Sequence, residues 1–275
     1  MLISRLTLLQ DRAGFAAWPL RVAYRLYEWR LMREVRRNSM PRHIGIILDG
    51  NRRYGELQRI KDARVLYGLG ADKLDDVLEW CGELGISAVT LWAFSTDNER
   101  RAANEVSGIL AAIEDKLRRF AEDTSTHHRR VRVRVVGQID RLPPSLVAAI
   151  GAAEAATAGF DRTCLTIAVA YGGRDEIADA VRSLLRARLA RGERLEHAVE
   201  TITAAEIGRY LYTADLPDPD LIIRTSGEAR LSGFLLWQSA YSEFYFSDVY
   251  WPAYRRIDFL RAIRAYQQRH RRFGL

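Results

Sequence analysis

His43-Ile44-Gly45-Ile46-Ile47-Leu48-Asp49-Gly50-Asn51-Arg52-Arg53 is a short apolar run that stops at a carboxylate and passes through a polar, glycine-bearing turn into two arginines. A brief, continuously apolar segment of this kind fits a strand buried on both faces, and the stretch behind it, through Tyr67 to Cys81, has helical periodicity. The alternation then repeats. Ala88 to Phe94 ends at Ser95-Thr96-Asp97-Asn98 ahead of a helix from about Asn104 to Phe120. Val131 to Val136, Leu165 to Ala170 and Leu221 to Ile223 are three more such runs, with a helix from Glu176 to Arg191 between the last two. Continuous apolar strands separated by helices predict a mostly parallel sheet covered on both faces. No Gly/Ser-rich or Pro-rich boundary interrupts the pattern, so residues 41–275 read as a single α/β domain with a central, mostly parallel sheet flanked by helices. Residues 1–40 read as a basic extension. Within it, Pro19 to Arg37 places Leu20, Ala23, Tyr24, Tyr27 and Leu31 at spacings of three and four, an amphipathic helix with an Arg-rich opposite face. Such a helix either packs on its own domain or rests on an anionic lipid surface.

The 275 residues are 48% hydrophobic and 28% charged, a composition that buries a sizeable core and excludes disordered, collagen-like and disulfide-scaffold classes. The formal charge of +7 is concentrated at the ends. Residues 1–42 hold nine Arg against Asp11, Glu28 and Glu34, residues 253–275 hold seven Arg against Asp258, and the intervening chain is net acidic. No helix-turn-helix, RNP or zinc signature accompanies the charge, so no nucleic-acid partner is expected. Lys61, Lys73 and Lys116 are the three lysines; the excess of Arg suits bidentate phosphate contacts, although genome base composition produces the same bias. Cys81 and Cys164 stand alone in apolar stretches, which argues for buried thiols in a reducing compartment. No apolar run reaches the roughly 20 residues of a bilayer span, and Leu2 to Gln10 is too short and lacks a cleavage site for a secretory signal. The expected location is cytoplasmic, with peripheral contact at the inner membrane surface through the amphipathic helix.

In parallel sheets, ligands bind beyond the carboxyl ends of the strands. Four strand exits carry Asp49-Gly50-Asn51-Arg52-Arg53, Ser95-Thr96-Asp97-Asn98, Tyr171-Gly172-Gly173-Arg174 and Arg224-Thr225-Ser226-Gly227-Glu228. Carboxylates, amides, hydroxyls and guanidinium groups beside glycines are what a site needs to hold metal-bound phosphate. The segment from Arg224 to Phe246 adds Arg230 and Ser232, which with Arg224 could grip a diphosphate, and Glu243, a second carboxylate for a metal. Phe234, Trp237 and Tyr241 fall three and four apart, the spacing of one core-facing helix stripe.

The combination of His43 with Asp49 to Arg53, Phe94-Ser95-Thr96-Asp97-Asn98 and the Arg224–Phe246 block resembles the cis-prenyltransferase family (isoprenyl transferases and undecaprenyl diphosphate synthases) from about Pro41 to the terminus. The appended Tyr24-Arg-Leu-Tyr-Glu-Trp-Arg-Leu31 stretch resembles the short-chain actinobacterial branch that makes (2Z,6E)-farnesyl diphosphate. The resemblance implies a Mg2+-dependent condensation of isopentenyl diphosphate with an allylic diphosphate, geranyl or farnesyl, to give a new Z double bond and free diphosphate. It implies that Asp49 positions Mg2+ and that Gly50, Asn51, Arg52 and Arg53 cradle the allylic diphosphate. Arg224, Arg230 and Ser232 become the isopentenyl diphosphate clamp, and Glu243 the second metal-linked carboxylate. Tyr54, Tyr67, Ser95, Thr96, Asp97, Arg101 and Leu231 complete the substrate-contacting set. Asn98 occupies the position treated as proton acceptor; a neutral amide is a poor base, so it reads better as an orienting group. Arg272 and Gly274 match an R-x-G tail that completes the partner's active site, which implies a homodimer.

The chain departs from the family pattern at Tyr54, where Trp is usual, at Tyr67, where many members have His, and at Asp97 to Ala102, where Arg101 keeps the expected Arg. Glu105 matches an acidic position in the mobile loop. Ala93 occupies a tunnel-wall position at which a larger residue favours short products, against the short-chain indication of the N-terminal stretch. The reading adopted is a C15 to C20 product, the alternative being a long polyprenyl chain. A non-catalytic partner subunit of the same fold is disfavoured by the presence of Asp49, Trp237, Gln238 and Glu243.

Overall fold

The structure is a computed structural model that describes residues 18–123 and 128–269. Its frame is the run quoted first: β1, His43–Ile47, buried at every position. The other strands are β2 (Ala88–Trp92), β3 (Val131–Val136), β4 (Thr163–Ala168), β5 (Leu221–Arg224) and β6 (Glu243–Phe246), all parallel, in the order β3-β4-β2-β1-β5-β6. The helices are α1 (Trp18–Val35), α2 (Asn51–Gln58), α3 (Ala63–Leu84), α4 (Ala103–Glu122), α5 (Pro144–Thr157), α6 (Gly173–Ala190), the short α7 (Leu195–Glu200) and α8 (Ala204–Gly208), and α9 (Arg256–Gln268).

Successive residues of the inner strands point to opposite faces. Ile44, Ile46, Val89, Leu91, Leu165, Ile167, Leu221 and Ile223 join the larger core with α3, α4, α5 and α9, whereas Ile47, Trp92, Ala168 and Ile222 pack against Tyr171, Phe234 and Leu235 on the other side. Gly45 is glycine for steric reasons, since a Cβ there would stand 3.0 Å from the Phe234 ring.

Three expectations need correction. Phe234, Trp237 and Tyr241 do not form a helix: residues 232–241 are a chain of turns in which Ser232, Gly233 and Leu235 adopt positive φ, and Tyr241 is 76% exposed. Positive φ is incompatible with a helix, so the three-and-four spacing was coincidental. The strand β6 was missed because its Phe244-Tyr245-Phe246 run is short, half-buried at a sheet edge and directly follows the turns at 232–241. In α1, Leu31, Met32 and Val35 enter the core and Tyr24 packs against it, but Ala23 and Tyr27 are exposed, and so are Val22, Leu26 and Trp29. Cys81 is buried and Cys164 half-buried, both free thiols, with burial pushing the Cys81 thiol well up.

Candidate active site

A cleft of about 640 Å3 opens at the carboxyl ends of β1, β2 and β5. The turn after β1 builds its floor. Gly50 has φ +97°, and a Cβ there would meet the Tyr250 ring at 2.6 Å and Ser226 Cβ at 3.0 Å, so no other residue fits. The turn delivers the Gly50 N–H to Asp49 Oδ1 at 2.6 Å and starts α2 with no side-chain cap, leaving its first N–H groups for an anion. Asp49 Oδ2 accepts two bonds from Arg224, from Nε at 3.2 Å and Nη2 at 2.7 Å. Burial works against the charged carboxylate, but the Arg224 hydrogen bonds and charge, with the Gly50 N–H, outweigh it and hold Asp49 below the usual carboxylate range.

Arg224 is 5% exposed. Besides Asp49, it donates to the Arg230 carbonyl and to Ser232 Oγ at 2.7 Å. Arg53 donates to Ser226 Oγ at 2.7 Å, lies 3.4 Å from Glu228 Oε1 and stacks over Tyr250. Arg230, the exposed arm, pairs with the other oxygen of Glu228. The two serines that receive these arginines, Ser226 and Ser232, both have positive φ, at 82° and 52°. Strain of this kind persists where the surroundings impose it, and here it aims hydroxyls at guanidinium groups.

On the opposite wall, Glu105 accepts from the Tyr67 hydroxyl at 2.7 Å and from Arg101 at 2.8 Å, with Arg52 3.7 Å away. Burial and the neighbouring Glu105 push the Tyr67 hydroxyl well up, so it remains a donor. Ser95 and Asn98 form a reciprocal cap: Asn98 N–H donates to Ser95 Oγ, and Ser95 N–H donates to Asn98 Oδ1, each at 3.1 Å. A backbone N–H fixes which end of the amide is oxygen and occupies one of its two lone pairs. The Asn98 NH2 can donate to a ligand, and because a neutral amide is a poor base the residue serves as a donor and orienting group.

Asp49, Gly50, Asn51, Arg52, Arg53, Tyr67, Ser95, Asp97, Asn98, Arg101, Arg224, Arg230 and Ser232 thus share one cleft. Tyr54 lies in α2 and Leu231 against the Phe234 cluster, both outside the lining, while Thr96 turns toward Asp175 in a neighbouring depression. Glu243 is not brought to Asp49. It opens β6 opposite Leu221, three residues upstream of the level of Arg224, and pairs with Arg269 at 2.7 Å. Arg272 and Gly274 lie outside the described residues. Sequence reasoning missed Glu228 and Ser226 as partners of the arginines; both stood in a quoted strand exit, but nothing local marked them as ligands.

At its inner side the cleft meets a narrow apolar pocket of about 70 Å3 between α3, α4 and the sheet. Leu48, Asn51, Tyr67, Ala93 and Ile109 line both spaces and form the throat. A polar, arginine-lined mouth over a greasy pocket matches a substrate with a charged head and a hydrocarbon tail.

Residues 47–274 match the prenyltransferase family described as undecaprenyl diphosphate synthase. The chain is a cis-prenyltransferase. An isoprenyl transferase of Deinococcus radiodurans is 54% identical over 90% of this chain and 90% of its own length. Two relatives at 48% identity carry different names: the (2Z,6E)-farnesyl diphosphate synthase of Thermobifida fusca covers 91% of this chain and 96% of its own. The geranylgeranyl-diphosphate-specific tritrans,polycis-undecaprenyl-diphosphate synthase of Methanopyrus kandleri covers 93% and 92%. Among solved structures, lavandulyl diphosphate synthase from Lavandula x intermedia, in complex with dimethylallyl diphosphate, superposes on this cis-prenyltransferase with a TM-score of 0.77 at 31% identity, covering 88% of this chain and all of that one.

Among the described residues no group of three or more His, Cys, Asp or Glu could cage a metal. Mg2+ does not need one, since it is commonly held by one or two carboxylates together with substrate phosphates and water. Asp49 is ionised, 29% exposed in its side chain and open to the cleft, and so fits that role in this cis-prenyltransferase.

Proposed function

We propose that the enzyme condenses isopentenyl diphosphate with an allylic diphosphate, geranyl or farnesyl, in a Mg2+-dependent reaction that gives a short Z-prenyl diphosphate of C15 to C20. The observation that carries this reading is the junction of the arginine-lined cleft with the narrow apolar pocket. Ionising an allylic diphosphate requires charge neutralised on the leaving group beside a water-poor space for the carbocation. The first-turn N–H groups of α2 and Arg53 hold the departing diphosphate, and Leu48, Ala93 and Ile109 shield the allylic carbons from water. Asp49 would hold Mg2+, which when bound supplies further neutralisation of the diphosphates. Arg230 receives the second diphosphate, Arg224 keeps Asp49 and Ser232 in place, and the Asn98 NH2 donates to a substrate oxygen. The proton lost on forming the double bond leaves through substrate phosphate or water, since Asn98 is a neutral amide and a poor base.

The proposal extends to a cytoplasmic homodimer. The exposed edge strand β6, with Phe246 39% exposed, supports pairing, as does the resemblance of Arg272 and Gly274 to the tail that reaches a partner's site. The outward Val22, Leu26 and Trp29, among the arginines of α1, support a peripheral membrane contact. The test is incubation of purified protein with Mg2+, labelled isopentenyl diphosphate and dimethylallyl, geranyl or farnesyl diphosphate, followed by product sizing. A product of C15 to C20 is expected; a ladder reaching C50 assigns the long-chain activity instead, and no incorporation with any primer refutes the reaction.

A further inference from the structure

Lys116 is the one charged residue lining the apolar pocket, and it is 5% exposed. It belongs to the same α4 stripe as Ile109, Ala112 and Ile113, seven residues beyond Ile109 at the throat, so it stands about 10 Å deeper along the helix. Buried lysines are rare unless paired. This one is paired: Nζ lies 2.6 Å from Asp75 Oδ1 on α3 and 4.9 Å from the centroid of the Phe120 ring. Asp75 is 40% exposed, so the Lys116 stem bounds the pocket while its ammonium reaches out toward the surface. Leu117 and Phe120 are completely packed beside it.

We propose that Lys116, held by Asp75, is the floor of the prenyl-chain pocket and sets the length at which elongation stops. The inference rests on the prenyltransferase reading and deepens it. An isoprene unit advances a chain by four bonds, roughly 4 to 5 Å, so a depth of about 10 Å spans two units below the one that crosses the throat, and the pocket of about 70 Å3 must widen between α3 and α4 to admit them. A chain of three units then reaches Lys116. A fourth must push the well-packed Lys116 stem aside, which costs its packing against the pocket wall and strains its ion pair with Asp75. Ala71, Ala93 and Ala112 are the small side chains along the pocket, and Lys116 is the furthest of the α4 residues that line it from Ile109 at the throat. Burial depresses the Lys116 ammonium while Asp75 supports its charge, consistent with a group kept at this depth by its partner.

The test compares Lys116→Ala and Lys116→Val with Lys116→Met, an unbranched side chain of similar bulk, using Mg2+, labelled isopentenyl diphosphate and separate primers. In the small variants the main product is expected to lengthen by at least one C5 unit. Farnesyl diphosphate, whose three units already reach Lys116, is expected to be elongated more slowly than geranyl diphosphate by the parent and at least about tenfold better by the small variants, the usual discrimination for a few carbons in an apolar pocket. Rates with dimethylallyl diphosphate, which does not reach Lys116, stay within about threefold of the parent, and Lys116→Met keeps the parent's product. Should Lys116→Ala fail to fold by circular dichroism, Lys116→Val carries the same comparison. Folded small variants with the parent's product length overturn the floor, as does a parent enzyme that itself makes C50. A parent that incorporates no isopentenyl diphosphate overturns the underlying activity instead, so the two failures are distinguishable.

Discussion

Replacing Arg224 by Met should damage stability and turnover together, because one buried side chain holds three parts of the cleft. Arg224 gives two hydrogen bonds to Asp49 Oδ2 and one each to the Arg230 carbonyl and Ser232 Oγ. Stranding one partner of a buried pair costs about 3–5 kcal/mol. Asp49 keeps some water contact at 29% exposure, so the low end, about 3 kcal/mol, applies. For a chain of this size that is a fall in Tm of roughly 6–12 °C. The pair adds stability through a depressed Asp49 pKa, so its contribution is complete above the unfolded carboxylate value of about 3.9 and is lost as pH falls through the folded value. The gap in Tm between the parent and Arg224→Met is therefore widest near neutral pH and shrinks below about pH 4. Turnover should fall at least about 100-fold in kcat/KM, since Asp49 and Ser232 lose their tether. Urea unfolding of Arg224→Met, Asp49→Asn and the double variant isolates the coupling, expected at about 2–3 kcal/mol. Additivity within about 0.5 kcal/mol, with Arg224→Met as active as the parent, would refute the tether.

Asp49→Asn should leave the fold intact and lower kcat roughly 10²–10³-fold, and EDTA should abolish parent turnover until Mg2+ is restored; steady-state kinetics across a Mg2+ titration checks both. Tyr67→Phe removes the bond to Glu105 and the one from Arg101, each worth about 1 kcal/mol, and should cost roughly 5–30-fold in kcat/KM. An unchanged value would show that the Tyr67–Glu105–Arg101 hub does not set the site. Leu26→Asn with Trp29→Asn tests the lipid contact better than truncation, because Leu31, Met32 and Val35 of the same helix are core residues. Sedimentation with anionic vesicles is expected to drop while activity on soluble primers persists; equal sedimentation of parent and variant refutes the contact.

Local pattern made the inner strands readable, and the parallel topology did the rest. When every strand runs the same way, all carboxyl ends converge, so residues as distant as Asp49, Asn98 and Arg224 line one cleft once the sheet is granted. What escaped depended on non-local information. Glu243 reads as a site residue by its neighbours in sequence, yet the β6 register places it beside Leu221 and Arg269. The turns at Ser232 and Leu235 need positive φ that no serine or leucine announces. Lys116 falls on the apolar stripe of α4, but a lysine in such a stripe is ordinarily read as surface, and only Asp75 on another helix explains its burial.

The same distinction explains why the charge of +7 said so little about the site. In the cleft, Arg224 faces Asp49, Arg53 and Arg230 share Glu228, and Arg52 and Arg101 face Glu105. Each guanidinium is already matched by a carboxylate, which holds these arginines in place without the repulsion of a bare cationic cluster. On the proposed function, binding a diphosphate would be an exchange in which its oxygens replace Glu228 on Arg53 and Arg230 while Asp49 stays with the buried Arg224. A single phosphate carries fewer oxygens and less charge with which to displace a carboxylate shared by two arginines. The pairing would therefore favour diphosphates over monophosphates, a selectivity that arises from how acids and bases are matched in space and not from their sum.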